Sequence, residues 1–200
     1  MHTPTRKMIA LLAATMYIRH PLHLEMMKQT HRLMVDFLSQ TPELPDGFEI
    51  GGKTYEMDKS SWPAYRDGNE DDIKRMWLRE LSRAGWLAKL FREMRWAVLI
   101  ADKPTFITSD NPVTPLHNDL RFRGFRNPGT SVVFPLSPTR LLWLDHRHSE
   151  PDGQYYPLKD NGGSMNVLLW RNALRDVFSH RDPHYTCMDI VEAAESMGYA

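Results

Sequence analysis

The sequence has a single cysteine, Cys187, among its 200 residues, so no intramolecular disulfide can form. This excludes a disulfide-stapled scaffold and is typical of a reducing compartment, which predicts a cytoplasmic location. An excess of charge of one sign is also missing, because 25 Lys and Arg residues balance 25 Asp and Glu residues. The chain therefore has no overall field that would draw it to nucleic acid or to an anionic membrane surface.

A hydrophobic run long enough to cross a bilayer, about 20 residues, is absent as well. The best candidate covers residues 8–18 and follows two basic residues, as the apolar part of a secretory signal does. Tyr17, Arg19 and His20 stand where small residues at a cleavage site would be expected. We therefore predict a buried helix here and no membrane partner, with a signal peptide as the alternative.

The chain has enough apolar residues to form a hydrophobic core, since they make up 42% of the sequence. Helices are predicted to about Ser39, with Pro21 opening the second, and Asn69 is predicted to cap one amphipathic helix of about 25 residues. Strands follow as two hairpins, over residues 96–101 with 105–108 and 131–134 with 140–144, before a closing helix over 164–178.

This order predicts an α+β fold, with N-terminal helices and one long amphipathic helix packed on one face of a small, mainly antiparallel sheet and a closing helix near the C-terminus. We expect a single domain over residues 1–200, with a flexible, hairpin-containing insertion at about 40–69, where Pro and Gly recur. Inside this insertion, Gly47 to Thr54 match the phosphate-loop pattern G-x-x-x-x-G-K-T. The neighbouring residues do not read as a strand before and a helix after, so a Gly-Gly hairpin is favoured.

Two further groups of residues suggest binding. His146 and His148 share a face of an extended strand with Glu150 nearby, but no third metal ligand is close in sequence, which favours a solvated strand end. A short basic and aromatic loop is compatible with nucleic acid, and its basic residues are Arg121, Arg123 and Arg126. A flexible connection between strands is the favoured interpretation of this loop.

The strongest candidate for a binding or catalytic site is the segment Phe106-Ile-Thr-Ser-Asp-Asn-Pro-Val113, because an apolar strand ends there in hydroxyls and a carboxylate. Such groups ligate a cation, activate water or bind a polar ligand. The alternative is an Asx-turn, in which Asp110 bonds its own backbone just before Pro112.

This segment, together with Phe134-Pro-Leu-Ser-Pro138, resembles a mostly bacterial family, domain of unknown function 4238. The resemblance covers roughly residues 7–180 and also includes Asn166, Asn172-Ala173, Phe178-Ser179 and the early helix ending Tyr17-Ile-Arg-His-Pro21. Members usually begin with a short module that carries a His-Tyr-x-Pro motif, which this sequence does not contain. We therefore expect a fragment, a late start or a shortened variant.

The resemblance implies a recurring polar set on separate elements: Arg19, Ser109, Asp110, Ser137 and Asn166. Because a polar motif follows each of two strands, Asp110 and Ser137 are predicted to converge at one end of the sheet. Arg19, at a helix C-terminus, is predicted to pair with Asp110. Such a pair either serves a site or organises a junction between helix and sheet.

Two functions follow as hypotheses. In the first, the chain is an intracellular enzyme of hydrolase type: Asp110 and Ser109 are catalytic, a divalent metal is the cofactor that this chemistry would use, and the substrate is bound by Arg19, Ser137 and Asn166. In the second, the polar set belongs to a non-enzymatic binding or regulatory module that recognises a small anion or a partner protein. A second acid or His beside Asp110 would favour the enzyme, and the sequence shows none.

Overall fold

The computed structural model describes residues 3–41, 43–50, 52–117, 124–159 and 162–199. The chain divides into two compact units, one formed by Arg19–Ser82 and the other by Met1–Ile18 together with Arg83–Ala200. Among the described residues, no helix has the length and apolar character needed to span a bilayer. The predicted single domain over 1–200 stays a prediction, as does the flexibility of the insertion.

The smaller unit contains helices α2 (Pro21–Ser39), α3 (Trp62–Arg66) and α4 (Glu70–Leu81) and a hairpin of strands β1 (Gly47–Ile50) and β2 (Lys53–Glu56). Pro21 opens α2 as predicted. The predicted cap of α4 is also confirmed: the Asn69 side chain accepts the Asp71 and Asp72 N–H groups at 2.9 and 3.1 Å.

The phosphate-loop pattern lies on this hairpin. Strands β1 and β2 pair antiparallel with Ile50 opposite Lys53, so two residues connect them, and Gly52 has a φ of +73°. Lys53 and Thr54 are the first residues of strand β2, where a phosphate loop requires a helix N-terminus. The hairpin interpretation is therefore confirmed.

The larger unit contains helices α1 (Thr3–Ile18), α5 (Ala84–Glu93), α6 (Gly163–Asn172) and α7 (Pro183–Ser196). Its strands are β3 (Arg95–Ile100), β4 (Thr108–Ser109), β5 (Thr114–His117), β6 (Thr130–Ser137), β7 (Arg140–Asp145), β8 (Gln154–Pro157) and β9 (Val177–Phe178). Within the described ranges, five strands form one sheet in the order β5-β6-β7-β3-β8, in which only the pair β3–β8 is parallel. The predicted α+β fold with a mainly antiparallel sheet is confirmed.

Helices cover both faces of this sheet, whereas packing on one face was predicted. Neighbouring residues such as Leu141 and Leu142 are both fully buried, although their side chains point to opposite faces. On one face, α6 and α7 join the core around Ile107 and Leu141. On the other, α5 packs against α1, and the indole N–H of Trp96 in β3 donates to Phe91 O at 2.8 Å.

The predicted single helix of about 25 residues after Asn69 is wrong, because α4 ends at Leu81 and α5 begins at Ala84. The Ser82 N–H and the Ser82 hydroxyl both bond to Arg79 O, at 3.1 and 2.5 Å. A serine that bonds a carbonyl three residues back tightens the last turn and ends the helix there.

The hairpin predicted between 96–101 and 105–108 is also wrong. Strand β3 has β7 on one side and β8 on the other, so no edge remains for the later segment. Strand β4 instead pairs antiparallel with β9, and the second predicted hairpin is confirmed as β6–β7.

Candidate functional site

The two segments that carry the resemblance are joined through their backbones. The Thr105 and Phe106 N–H groups both donate to Pro138 O, at 2.7 and 2.9 Å. The Ala101 N–H donates to Thr139 O at 3.0 Å just before them. Residues 105–108 are therefore held against the turn between β6 and β7.

Asn166 fixes the same segment from the helix side. Its side chain projects from α6 and is only 1% exposed. Oδ1 accepts the Ile107 N–H at 3.1 Å, and Nδ2 donates to Thr105 O at 2.9 Å. The amide thus takes the place of a neighbouring strand, which satisfies two backbone groups that would otherwise be buried without partners.

Asp110 follows β4 and holds the chain beyond α6. Its two carboxylate oxygens accept the Leu174 and Arg175 N–H groups at 2.9 and 3.0 Å. Its own N–H donates to Asp176 O at 3.1 Å. Because these bonds capture N–H groups that a longer helix would use, α6 ends at Asn172 and not at residue 178 as predicted.

The bonds of Asp110 form a junction between the segment around β4 and the chain that follows α6. Ser109 and Asn111 complete this junction. The buried Ser109 hydroxyl accepts the Asn111 N–H at 3.2 Å. The Asn111 and Asn172 side chains each donate to the other's backbone carbonyl, at 3.0 and 2.7 Å. The polar side chains of this motif therefore bond to the backbone and fasten residues 105–113 to residues 172–176.

Ser137 lies apart from this network, at the end of β6, where its hydroxyl accepts the Thr139 N–H at 3.3 Å. It lines a cavity of about 240 Å³ between the two resemblance segments, which we call the motif cavity. Its walls are Phe106, Ile107, Thr108, Pro135, Leu136, Ser137, Pro138, Phe178, Ser179 and His180. Ser109, Asp110 and Asn166 hold these walls without lining the cavity.

Asp110 and Ser137 were predicted to converge at one end of the sheet, and the structure places them at the ends of strands in two different sheets. Asp110 follows a two-stranded sheet, whereas Ser137 ends a strand of the five-stranded one. Arg19 begins the smaller unit and its side chain is exposed. The predicted pair of Arg19 and Asp110 spans the two units and stays a prediction.

The other sequence candidates have structural roles or lie outside the described residues. His146 Nε2 lies 2.8 Å from Phe125 O, and within the described ranges no three metal-ligating side chains cluster. Arg121 and Arg123 lie outside the described residues. Arg126 is exposed, with its guanidinium 5.6 Å from the ring of Trp86.

A buried ion pair in the larger unit was missed by sequence reasoning. Arg95 Nε and Nη2 donate to the two carboxylate oxygens of Asp145, at 2.8 and 2.5 Å, and both residues are at most 5% exposed. Glu150 Oε2 lies 2.9 Å from Arg95 Nη1, off the line of its N–H bonds. Only the register of β3 with β7, which places these residues opposite each other, reveals the pair.

Removal of the Asp110 carboxylate tests the role of the junction. We expect Asp110→Ala to lower the free energy of unfolding by about 1–3 kcal/mol, because two backbone N–H groups lose their acceptor. Asp110→Asn keeps one acceptor oxygen and should be intermediate. Thermal unfolding measures both, with Asp176→Ala as control, because among the described residues that side chain pairs only with its neighbour Arg175. A Tm that is level or raised in Asp110→Ala would contradict this role.

A family model described as "Protein of unknown function (DUF4238)" matches residues 2–183 of the chain. The chain belongs to this family. The DUF4238 match spans both compact units and ends at the first residue of α7. A search of curated proteins and a search of solved structures found no match.

Proposed function

We propose that this DUF4238 chain is a non-enzymatic binding module that holds a small molecule in the motif cavity. One observation carries the proposal: the two resemblance segments, together with Phe178 and Ser179, meet around one cavity. The neighbouring polar residues of the same motifs bond to the backbone that forms its walls. The motif residues therefore either line the cavity or hold its lining in place.

The lining favours a neutral ligand with an apolar body. Most of the walls are aliphatic, aromatic or proline side chains, and the polar groups are the hydroxyls of Thr108, Ser137 and Ser179. The described residues that line this cavity include no Lys or Arg, so an anion would find no permanent positive charge there. A volume of about 240 Å³ is below the range of drug-sized sites, which favours a small metabolite bearing a hydroxyl or carbonyl group.

The hydrolase hypothesis assigns chemistry to Asp110 and Ser109. Both carboxylate oxygens and the Ser109 hydroxyl accept backbone N–H groups, which gives these side chains a holding role. This supports the binding module over the enzyme. Hydrolysis of p-nitrophenyl acetate or p-nitrophenyl phosphate that is lost in a folded Asp110→Asn variant would support the enzyme instead.

The binding test uses benzyl alcohol as the probe and amide chemical shifts as the measurement. We expect saturable shifts at residues 106–108, Leu136 and Ser137 in the unmodified chain. Ser137→Phe fills the cavity and should abolish them, whereas Ser149→Phe, the same change at an exposed turn, should not. Thr108→Val removes a hydroxyl without a change of shape and should weaken binding by roughly 3–10-fold, the loss of one hydrogen bond.

Two results would overturn the proposal. One is the absence of shifts at the cavity with benzyl alcohol, cyclohexanol and indole. The other is equal binding in Ser137→Phe, because a filled cavity cannot hold the probe.

A further inference from the structure

A second cavity lies in the larger unit, between β5 and the C-terminal end of α6. It has a volume of about 380 Å³ and is larger than the motif cavity. We call it the Arg171 cavity, and the lining residues that matter here are Thr114, Leu116, His117, Leu168, Arg171 and Tyr199. None of these residues belongs to the polar set of the sequence hypotheses.

The guanidinium of Arg171 is positioned by an aromatic ring. Its central carbon lies 4.2 Å from the centre of the Tyr199 ring, the distance of a cation–π contact. Arg171 is exposed and lines the cavity, and among the described residues no ion pair or hydrogen bond engages its side chain, so its N–H donors are available to a ligand. When a guanidinium stacks on a ring, the N–H groups along its edge stay available. Two of them can donate parallel hydrogen bonds to the two oxygens of one carboxylate.

The side chain of Thr114 contributes no polar group to the cavity surface. The residue is 4% exposed, and its Oγ1 has almost no accessible surface and no hydrogen-bond partner among the described residues. The rest of the wall includes Leu116 and Leu168, which would contact an apolar body.

We propose that the Arg171 cavity binds a small organic anion, a carboxylate attached to an apolar group. The carboxylate lies against Arg171, and the apolar body packs on Leu116 and Leu168. Inorganic phosphate fits less well, because it would leave the apolar wall in contact with water. This site is separate from the motif cavity and does not depend on the function proposed there.

The test is a titration with benzoate, followed by the amide chemical shifts of Thr114, Leu116, His117 and residues 168–171. Arg171→Gln should weaken benzoate binding by roughly 10-fold or more, the effect of losing hydrogen bonds from a charged donor. Arg92→Gln is the matched control: it removes the same charge from an exposed position on α5 and should leave the affinity unchanged. Benzamide, which has the same shape without the charge, should bind at least 10-fold more weakly than benzoate.

The ring beneath Arg171 gives a second, conservative pair of variants. Tyr199→Phe keeps the stacked ring and should bind benzoate as the unmodified chain does. Tyr199→Leu removes the ring beneath the guanidinium, and we expect the folded variant to bind benzoate roughly 3–10-fold more weakly. Equal loss in both variants would contradict a role for the ring.

Three outcomes would overturn the proposal: no saturable shifts at the cavity with benzoate, equal binding of benzamide, or binding of inorganic phosphate as tight as that of benzoate. An equal loss in Arg92→Gln and Arg171→Gln would do the same, because it would mean unspecific attraction by charge. Ser137→Phe should leave benzoate binding intact, so a failure in one cavity is distinguishable from a failure in the other.

Discussion

Replacement of Arg95 by alanine is expected to lower the free energy of unfolding by about 3–5 kcal/mol. The guanidinium donates two hydrogen bonds to Asp145, and both side chains are buried where β3 pairs with β7. Without Arg95, the Asp145 carboxylate remains buried without its main partner. Thermal unfolding should show a decrease in Tm on the order of 10 °C.

The double variant Arg95→Met, Asp145→Leu separates the loss of the pair from the burial of a lone charge. Apolar residues of similar volume can replace a buried ion pair with little loss of stability. We therefore expect the double variant to recover most of the stability that Arg95→Ala loses. Equal destabilisation in the two variants would mean that packing at the strand ends, and not the isolated carboxylate, causes the loss.

The pair of Arg95 and Asp145 also predicts that the free energy of unfolding depends on pH in the acid range. Burial raises the pKa of Asp145, but the hydrogen bonds from Arg95 and from the Arg147 N–H outweigh burial and lower the pKa below its usual value. A carboxyl with a lowered pKa stabilises the folded state above its unfolded pKa of about 3.9, and this stabilisation is lost as the pH falls through the folded value. The double variant should lack this part of the acid dependence, which chemical denaturation at pH 2–5 would measure.

The sequence predicted those elements whose signals are local. Asn69 and the acidic residues after it predicted the start of α4, and Pro21 predicted the start of α2. Two short apolar runs on either side of Pro135-Leu-Ser-Pro138 predicted the hairpin β6–β7. In each case the residues that determine the element lie within a few positions of one another, so pattern and structure agree.

The errors arose where distant residues decide the outcome. The end of α6 depends on Asp110, which lies more than 60 positions earlier, and the partner of β4 is β9, from the far side of α6. Strand β8 joins the sheet in parallel with β3, and no local pattern indicates this pairing. The family resemblance indicated Asn166 as one of the polar set. Its two backbone partners, the Ile107 N–H and the Thr105 carbonyl, are known only from the folded structure.

Asn166→Ala is the second substitution with a large expected effect, a decrease of about 2–6 kcal/mol in the free energy of unfolding. The buried amide satisfies the Ile107 N–H and the Thr105 carbonyl, and both would lose their partner in alanine, at about 1–3 kcal/mol each. The control is Asn69→Ala, whose backbone partners are at an exposed helix start, and it should lose only about 1 kcal/mol. Chemical denaturation of the three proteins measures the difference.

Asn166→Asp distinguishes the hydrogen bonds from the packing of the side chain. The new group has nearly the same shape and keeps an acceptor for the Ile107 N–H, but it places a second oxygen against the Thr105 carbonyl. Burial raises the pKa of such a carboxyl, so its charged form destabilises the fold at neutral pH and protonation restores a donor in acid. We therefore expect Asn166→Asp to be destabilised at pH 7 and to recover part of the loss as the pH falls towards 4. If the loss at pH 7 equals that at pH 4, the amide acts by filling space, and the junction between β4 and α6 is held by Asp110 and Asn172 instead.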